Sequence, residues 1–176
     1  MKFEIQDPIP FDAEEAFLIL RDEMGALVPF MDGTESIIVV NREEEGDEVK
    51  LKNHWHASMD KIPSALRAFI KPEMLSWYDH VTWTSADHTG RWTLEAIGSD
   101  KLFSCHGETS VKQEGEQTVL AIEVSFEVYP EKVPGIPKFL AKKISGQIEK
   151  LIGEILSSSM RQMAQGMSAY AQHKRG

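Results

Sequence analysis

The last third of the chain reads as one amphipathic helix, and that helix dictates most of what the rest must be. Leu140, Ile144, Ile148, Leu151, Ile155, Met163, Met167 and Tyr170 form a stripe at helical spacing, widened by Ile152, Leu156 and Met160. Lys142, Lys143, Gln147, Glu149, Lys150 and Arg161 occupy the opposite face. A helix this long crosses a whole small domain at ~1.5 Å per residue, so its stripe needs a continuous apolar surface to cover it. A coiled-coil partner is disfavoured, because Gly146, Gly153, Gly166 and Ser157-Ser158-Ser159 are poor formers of one.

The covering surface is written upstream in period two. Ser36 to Arg42 is β-branched, and Glu43-Glu44-Glu45-Gly46-Asp47 makes a polar hairpin connection. Val49, Leu51, Asn53, Trp55 and Ala57 then alternate with Lys50, Lys52, His54 and His56. The pattern returns over Leu75–Trp83, Trp92–Ile97, Phe103–Val111 and Leu120–Val128. Asp87-His88-Thr89-Gly90, Gly98-Ser99-Asp100 and Glu114-Gly115-Glu116 supply turn chemistry between them. Such a succession predicts an antiparallel meander with one apolar and one solvated face. Before it, Lys2–Gln6 is a short strand that Asp7-Pro8-Ile9-Pro10 ends, because proline removes a ladder donor. Asp12 with Glu15 forms an aspartate capping box opening a short helix through Leu20. Gly25 breaks that helix, and Ala26-Leu27-Val28 add a further turn before Pro29. An insertion, Ser58–Glu73, carries Ile62, Leu66, Phe69 and Ile70 at helical spacing and predicts a short amphipathic helix near 62–71.

The balance of 19 Lys and Arg against 28 Asp and Glu argues against nucleic-acid binding, which needs clustered cations on phosphates. No run approaches the ~20 apolar residues of a membrane span, so no integral membrane association is expected. The single cysteine, Cys105, can form neither an intrachain disulfide nor a thiolate zinc cluster. Charges at Lys2, Glu4 and Asp7 interrupt the apolar stretch a signal peptide requires, and a cytoplasmic location is expected. The chain of 176 residues fits one domain over 1–176, without internal repeats or linker composition.

Strand, two short helices, six antiparallel strands and a long C-terminal helix resemble the helix-grip fold of the START-like, or SRPBCC, superfamily. That superfamily includes the major birch pollen allergen, lipid-transfer START domains and polyketide cyclases. The resemblance runs from Lys2 to about His173, carried by the Phe3-Glu4-Ile5 opening, the seven-strand count, Pro134-Gly135-Ile136-Pro137 and the Leu140–Tyr170 stripe. It is one of architecture, without a shared catalytic motif, and the Ser58–Glu73 insertion departs from the plainest members, as in a poorly characterised bacterial branch. It implies an α+β fold in which a seven-stranded curved sheet wraps the C-terminal helix around a cavity.

Within that frame Asn53 and Asp79 share the apolar face with Trp55, Trp77, Val81, Trp83 and Trp92. A carboxylate there is desolvated and its pKa raised, which prepares an acid or base, or anchors a polar head group. A single bulge would instead turn Asp79 outward. Cys105 alternates inward, where an apolar site suppresses the thiolate. His54 and His56 share the lysine-bearing face, which is most simply solvated, and no metal is expected there. Met160 and Met163 adapt in shape to a ligand or to an ordinary core. The expected function is binding or carriage of a hydrophobic small molecule or lipid, without a cofactor. Asn53, Trp55, Phe69, Trp77, Asp79, Trp83, Trp92, Cys105, Met160 and Met163 would line the site, and the inserted helix would be its lid. Two alternatives stay open: a cyclase, aromatase or hydratase-like enzyme with Asp79 as its acid or base, and a protein-interaction domain. The ligand's identity and the oligomeric state are not legible in the sequence.

Overall fold

The computed structural model describes residues 1–61, 64–67, 72–97, 103–129, 132 and 138–175. Side chains of the final helix are described from residue 156 on, with Gly146, Lys150, Gly153 and Glu154 before it. The expected turn Gly98-Ser99-Asp100, the segment Pro134-Gly135-Ile136-Pro137, and Ile62, Phe69 and Ile70 lie outside the described residues.

Seven strands form one antiparallel sheet: β1 (Lys2–Ile9), β2 (Thr34–Glu45), β3 (Glu48–Ala57), β4 (Ser76–Thr84), β5 (Thr89–Ala96), β6 (Phe103–Glu114) and β7 (Gln117–Val128). Their spatial order is β1-β7-β6-β5-β4-β3-β2, so β2 through β7 are a meander and β1 returns to pair with β7. The helices are α1 (Ala13–Asp22), the four-residue α2 (Ser64–Arg67) and α3 (Lys138–Arg175), with a 3-10 segment over Met24–Phe30. This is an α+β helix-grip fold, as the order of sequence patterns implied. The insertion is described as α2 flanked by 3-10 turns at Met59–Lys61 and Pro72–Leu75.

Local chemistry explains most boundaries. Asp12 caps α1 by accepting from the Glu15 N–H at 2.8 Å. The β2–β3 and β6–β7 turns are tight because Gly46 and Gly115 adopt φ of 63° and 62°, a region open to glycine. Two boundaries correct the sequence reading. β1 does not end at Asp7-Pro8 but continues to Ile9, with Pro8 opposite Val119. As an edge strand β1 tolerates a missing N–H on its open side. After α1 the expected further turn is a 3-10 segment that runs through Pro29 to Phe30 instead of stopping before the proline.

α1 and the C-terminal half of α3 close one end of the sheet. Phe17, Ile19, Leu20 and Leu27 pack with Met167, Ala164 and Ala171, all almost fully buried. Gly166 and Gly153 do not leave room in this interior, because their neighbours already fill it. A Cβ on Gly166 would lie 2.9 Å from Met31 Cγ, and one on Gly153 would overlap Met1. Tyr170 donates to Glu23 at 2.8 Å and Arg175 to the Pro10 carbonyl at 3.0 Å, fixing the end of α3.

A polar pair on the inner face of the sheet

Antiparallel register aligns side chains in rows across the strands. One inner row runs Val39, Asn53, Asp79, Leu94, Cys105 and Phe126, from edge strand β2 to β7. No bulge interrupts β3–β4, so Asp79 faces inward beside Asn53. Asn53 is 4% exposed and Asp79 9%, and the Asn53 amide donates to Asp79 Oδ2 at 3.2 Å. The next row brings Trp55 opposite Trp77, with rings stacked at 6.0 Å and 17°.

This row is the boundary between a packed and a half-open interior. On one side Val49, Leu51, Val81 and Trp83 are buried, Trp83 against Phe17 of α1. On the other Trp55, Trp77, Ala96 and Phe103 are only half-buried, and Val39 is 53% exposed at the β2 edge. The four tryptophans therefore divide into two kinds. Trp83 lies edge-on to Phe17 at 5.7 Å, directly over Gly90. Trp92 covers Gly107 and donates its indole N–H to Thr109 at 3.1 Å. Those two are held by the core, whereas Trp55 and Trp77 face the open end. Met160 and Met163 are half-buried against the same core from α3.

Burial pushes the Asp79 carboxyl up to about 6, against the opposing pull of the Asn53 hydrogen bond, the Trp55 indole and the charge of His80. The Trp55 indole N–H lies within reach of the carboxyl and favours its charged form. Burial, with Asp79's charge adding to it, pushes the Cys105 thiol up to about 12, which suits an inert core residue.

Asp7 is an inner-face carboxylate that the sequence reading assigned to a strand-ending turn. It alternates inward with Phe3, Ile5 and Ile9, and its Oδ2 is buried without a partner. Its Oδ1 lies 3.9 Å from the Arg161 guanidinium of α3. The signal that could have found it is the unbroken alternation through Pro8.

The outer face carries a different feature, an open trough of ≈ 1100 Å³ between two rows of side chains including Lys52, His80, Arg91 and Glu108. Some of its charges pair, Arg91 with Glu108 at 2.9 Å and His80 with Glu95 at 2.6 Å. It is relief on a solvated surface, and the buried, raised carboxyl of Asp79 makes the inner row the stronger candidate despite the trough's size. Among the described residues no three His, Cys, Asp or Glu side chains could hold a metal ion together. No described helix is long and apolar enough to cross a membrane.

Known proteins place this architecture. Solved structures similar to it are of the helix-grip, SRPBCC type. TTHA0849 from Thermus thermophilus is 18% identical, with a TM-score of 0.71 and 100% of both chains covered. The Zhui aromatase/cyclase from Streptomyces sp. R1128 is 10% identical, with a TM-score of 0.66 over 100% of this chain and 96% of that one. Ara h 8.0201 is 12% identical, with a TM-score of 0.60 over 98% of each chain. At these identities the likeness is one of fold. No curated protein matches the sequence. A family model covers residues 4–159, and the chain belongs to that family, described as a protein of unknown function (DUF2505).

Proposed function

We propose that the protein binds an apolar small molecule on the inner face of the sheet, beside α3, with Asn53 and Asp79 as its polar anchor and Trp55 and Trp77 as its apolar wall. The observation that carries this reading is the buried Asn53–Asp79 pair on an otherwise apolar face, its carboxyl held up to about 6 by burial. A carboxyl buried in this way costs stability, and its place on an apolar wall suits the polar end of a ligand. The half-buried state of Trp55 and Trp77 and the exposure of Val39 leave an approach over the β2 edge. Native mass spectrometry of freshly purified protein, repeated after mild organic extraction, tests the reading. A retained mass that disappears on extraction is expected. A clean mass that stays unchanged after incubation with lipid extract would refute it.

One observation favours a second reading. A carboxyl held near 6 exchanges protons close to neutral pH, as a general acid or base must. An enzyme of the cyclase, aromatase or hydratase kind would use Asp79 in that role, and the Zhui aromatase/cyclase shows that this fold can house such chemistry. Turnover unaffected by Asp79→Asn would end this version.

A further inference from the structure

On the outer face, β2, β3 and β4 bring a carboxylate, a histidine and a serine together. We propose that Ser76 is a nucleophile activated by His56 and Glu35, and that it accepts the acyl group of uncharged, activated esters with an aromatic leaving group. This site lies across the sheet from Asp79 and stands independently of the inner-face binding reading.

Ser36, His56 and Ser76 lie side by side in one outer row. The Ser76 hydroxyl is 2.6 Å from His56 Nδ1, and a Glu35 carboxylate oxygen is 3.3 Å from His56 Nε2. Glu35 is the extra residue where the β2–β3 register shifts between Thr34 and Ser36. Strict alternation from Ser36 would aim it at the inner face, and the irregularity brings it to His56 instead. Its carboxylate decides the tautomer. A negative charge beside Nε2 favours the ring proton there, which leaves Nδ1 to accept from the Ser76 O–H. That is the order a nucleophile, its base and the group stabilising the imidazolium require. Ser76 opens β4, and its carbonyl accepts from the Ile97 N–H at 3.4 Å, which anchors the backbone behind the hydroxyl. The His56 side chain is 34% exposed and that of Glu35 53%, so a substrate reaches the row from solvent.

Ser76 Oγ attacks the ester carbonyl carbon while its proton passes to His56 Nδ1. The bond from that carbon to the aryl oxygen breaks, and the leaving group departs as a phenol with the His56 proton, or as a phenolate while the proton goes to water. A water molecule then attacks the acyl-serine with His56 again as base, releasing the carboxylic acid and restoring the hydroxyl. On this open face water solvates the oxyanion, without the gain of a water-excluded site, so only esters with good leaving groups react. The neighbouring outer row is Ile38, His54 and Tyr78, about 7 Å along the strands. Ile38 is 56% exposed and the His54 and Tyr78 rings lie 5.4 Å apart, a shelf that suits an aromatic leaving group. Glu35 disfavours an anionic one.

The full-length protein is mixed with 4-nitrophenyl acetate at pH 8, phenolate release is followed by absorbance, and samples quenched in acid are digested to map the acetyl group. Acetyl is expected on Ser76 ahead of any lysine. His56→Gln should slow its appearance there about 100-fold or more, and Ser76→Ala should remove the fast phase. Glu35→Gln should lower the maximal rate about 2–5-fold at an unchanged half-saturating ester concentration, with part of the rate recovered in Glu35→Asp. Ile38→Asp should instead raise that concentration about threefold or more. Acetyl confined to lysines or the N-terminus, or acetylation of Ser76 at the same rate in His56→Gln, would overturn the proposal. An unchanged half-saturating concentration in Ile38→Asp would overturn the aromatic leaving-group assignment. Mapping on the wild type decides the site even if a variant does not fold.

Discussion

Replacing Asp79 by asparagine should make the protein more stable, and by an amount that depends on pH. In the unfolded chain the carboxyl titrates near its ordinary value of 3.8, and in the folded protein burial holds it at about 6. The folded state therefore binds the proton more tightly, and stability falls as pH rises from about 4 to about 6. Roughly two pKa units at 1.36 kcal/mol each put the full cost at about 3 kcal/mol above neutrality. Asp79→Asn keeps the shape and an acceptor for the Asn53 amide but has no charge to bury. The variant should match the wild type below pH 4 and exceed it by about 3 kcal/mol at pH 8. In a chain of this size that corresponds to a rise in Tm of about 6–12 °C. Urea denaturation of both proteins, ligand-free and at unit steps from pH 4 to 8, isolates the effect, since every other titrating group cancels in the difference. A difference that stays flat across that range would refute the burial of an ionisable carboxyl at this position. A stabilised variant that also loses ligand would show that the charge is kept for function at the expense of stability.

Three further outcomes test the architecture around the site. Trp83→Ala should cost about 3–5 kcal/mol of unfolding free energy, because it empties a fully packed position, whereas Trp77→Ala at the half-open end should cost clearly less; equal losses by denaturant titration would contradict the division of the interior. Gly107→Ala should destabilise by about 1–3 kcal/mol or more, since its Cβ would collide with the Glu123 carbonyl and the Trp92 ring. Gly146→Ala, exposed with nothing within 4 Å, should by contrast stabilise α3 by up to about 1 kcal/mol. Native Cys105 should resist iodoacetamide at pH 8 and react only on unfolding, because burial holds its thiol up at about 12; rapid labelling of the folded protein would show the inner row open to solvent.

Elements with a strong period were legible in the sequence. The alternation of β3 and β7 set their buried faces, and Asp12 capped α1 where its spacing to Glu15 said it would. Placing Asn53 and Asp79 on one face required only that alternation. That they are direct neighbours required the register, which depends on where the chain turns between β3 and β4, and the insertion there hides it. The same holds for Cys105, two strands further along the row. Periodicity also cannot separate Trp83 from Trp77, which alternate identically on β4, because what buries one and spares the other is α1, far away in sequence. Proline misled at Pro8, since its cost depends on whether the strand is an edge. Glycines on α3 spoke only against a coiled coil, and the structure uses Gly153 and Gly166 for close approach of Met1 and Met31.

The division of the tryptophans has a spectroscopic consequence. Trp83 and Trp92, sealed in the core, should emit at short wavelength and ignore solutes, so their signal follows unfolding alone. Trp55 and Trp77 are near enough and parallel enough for their transitions to couple, which should add a paired band to the near-ultraviolet circular dichroism. Because that pair stands at the open end beside Asp79, iodide or a bound aromatic body would quench it and disturb the band while leaving the sealed pair untouched. Occupancy and folding should therefore be readable separately, in one cuvette and without a label.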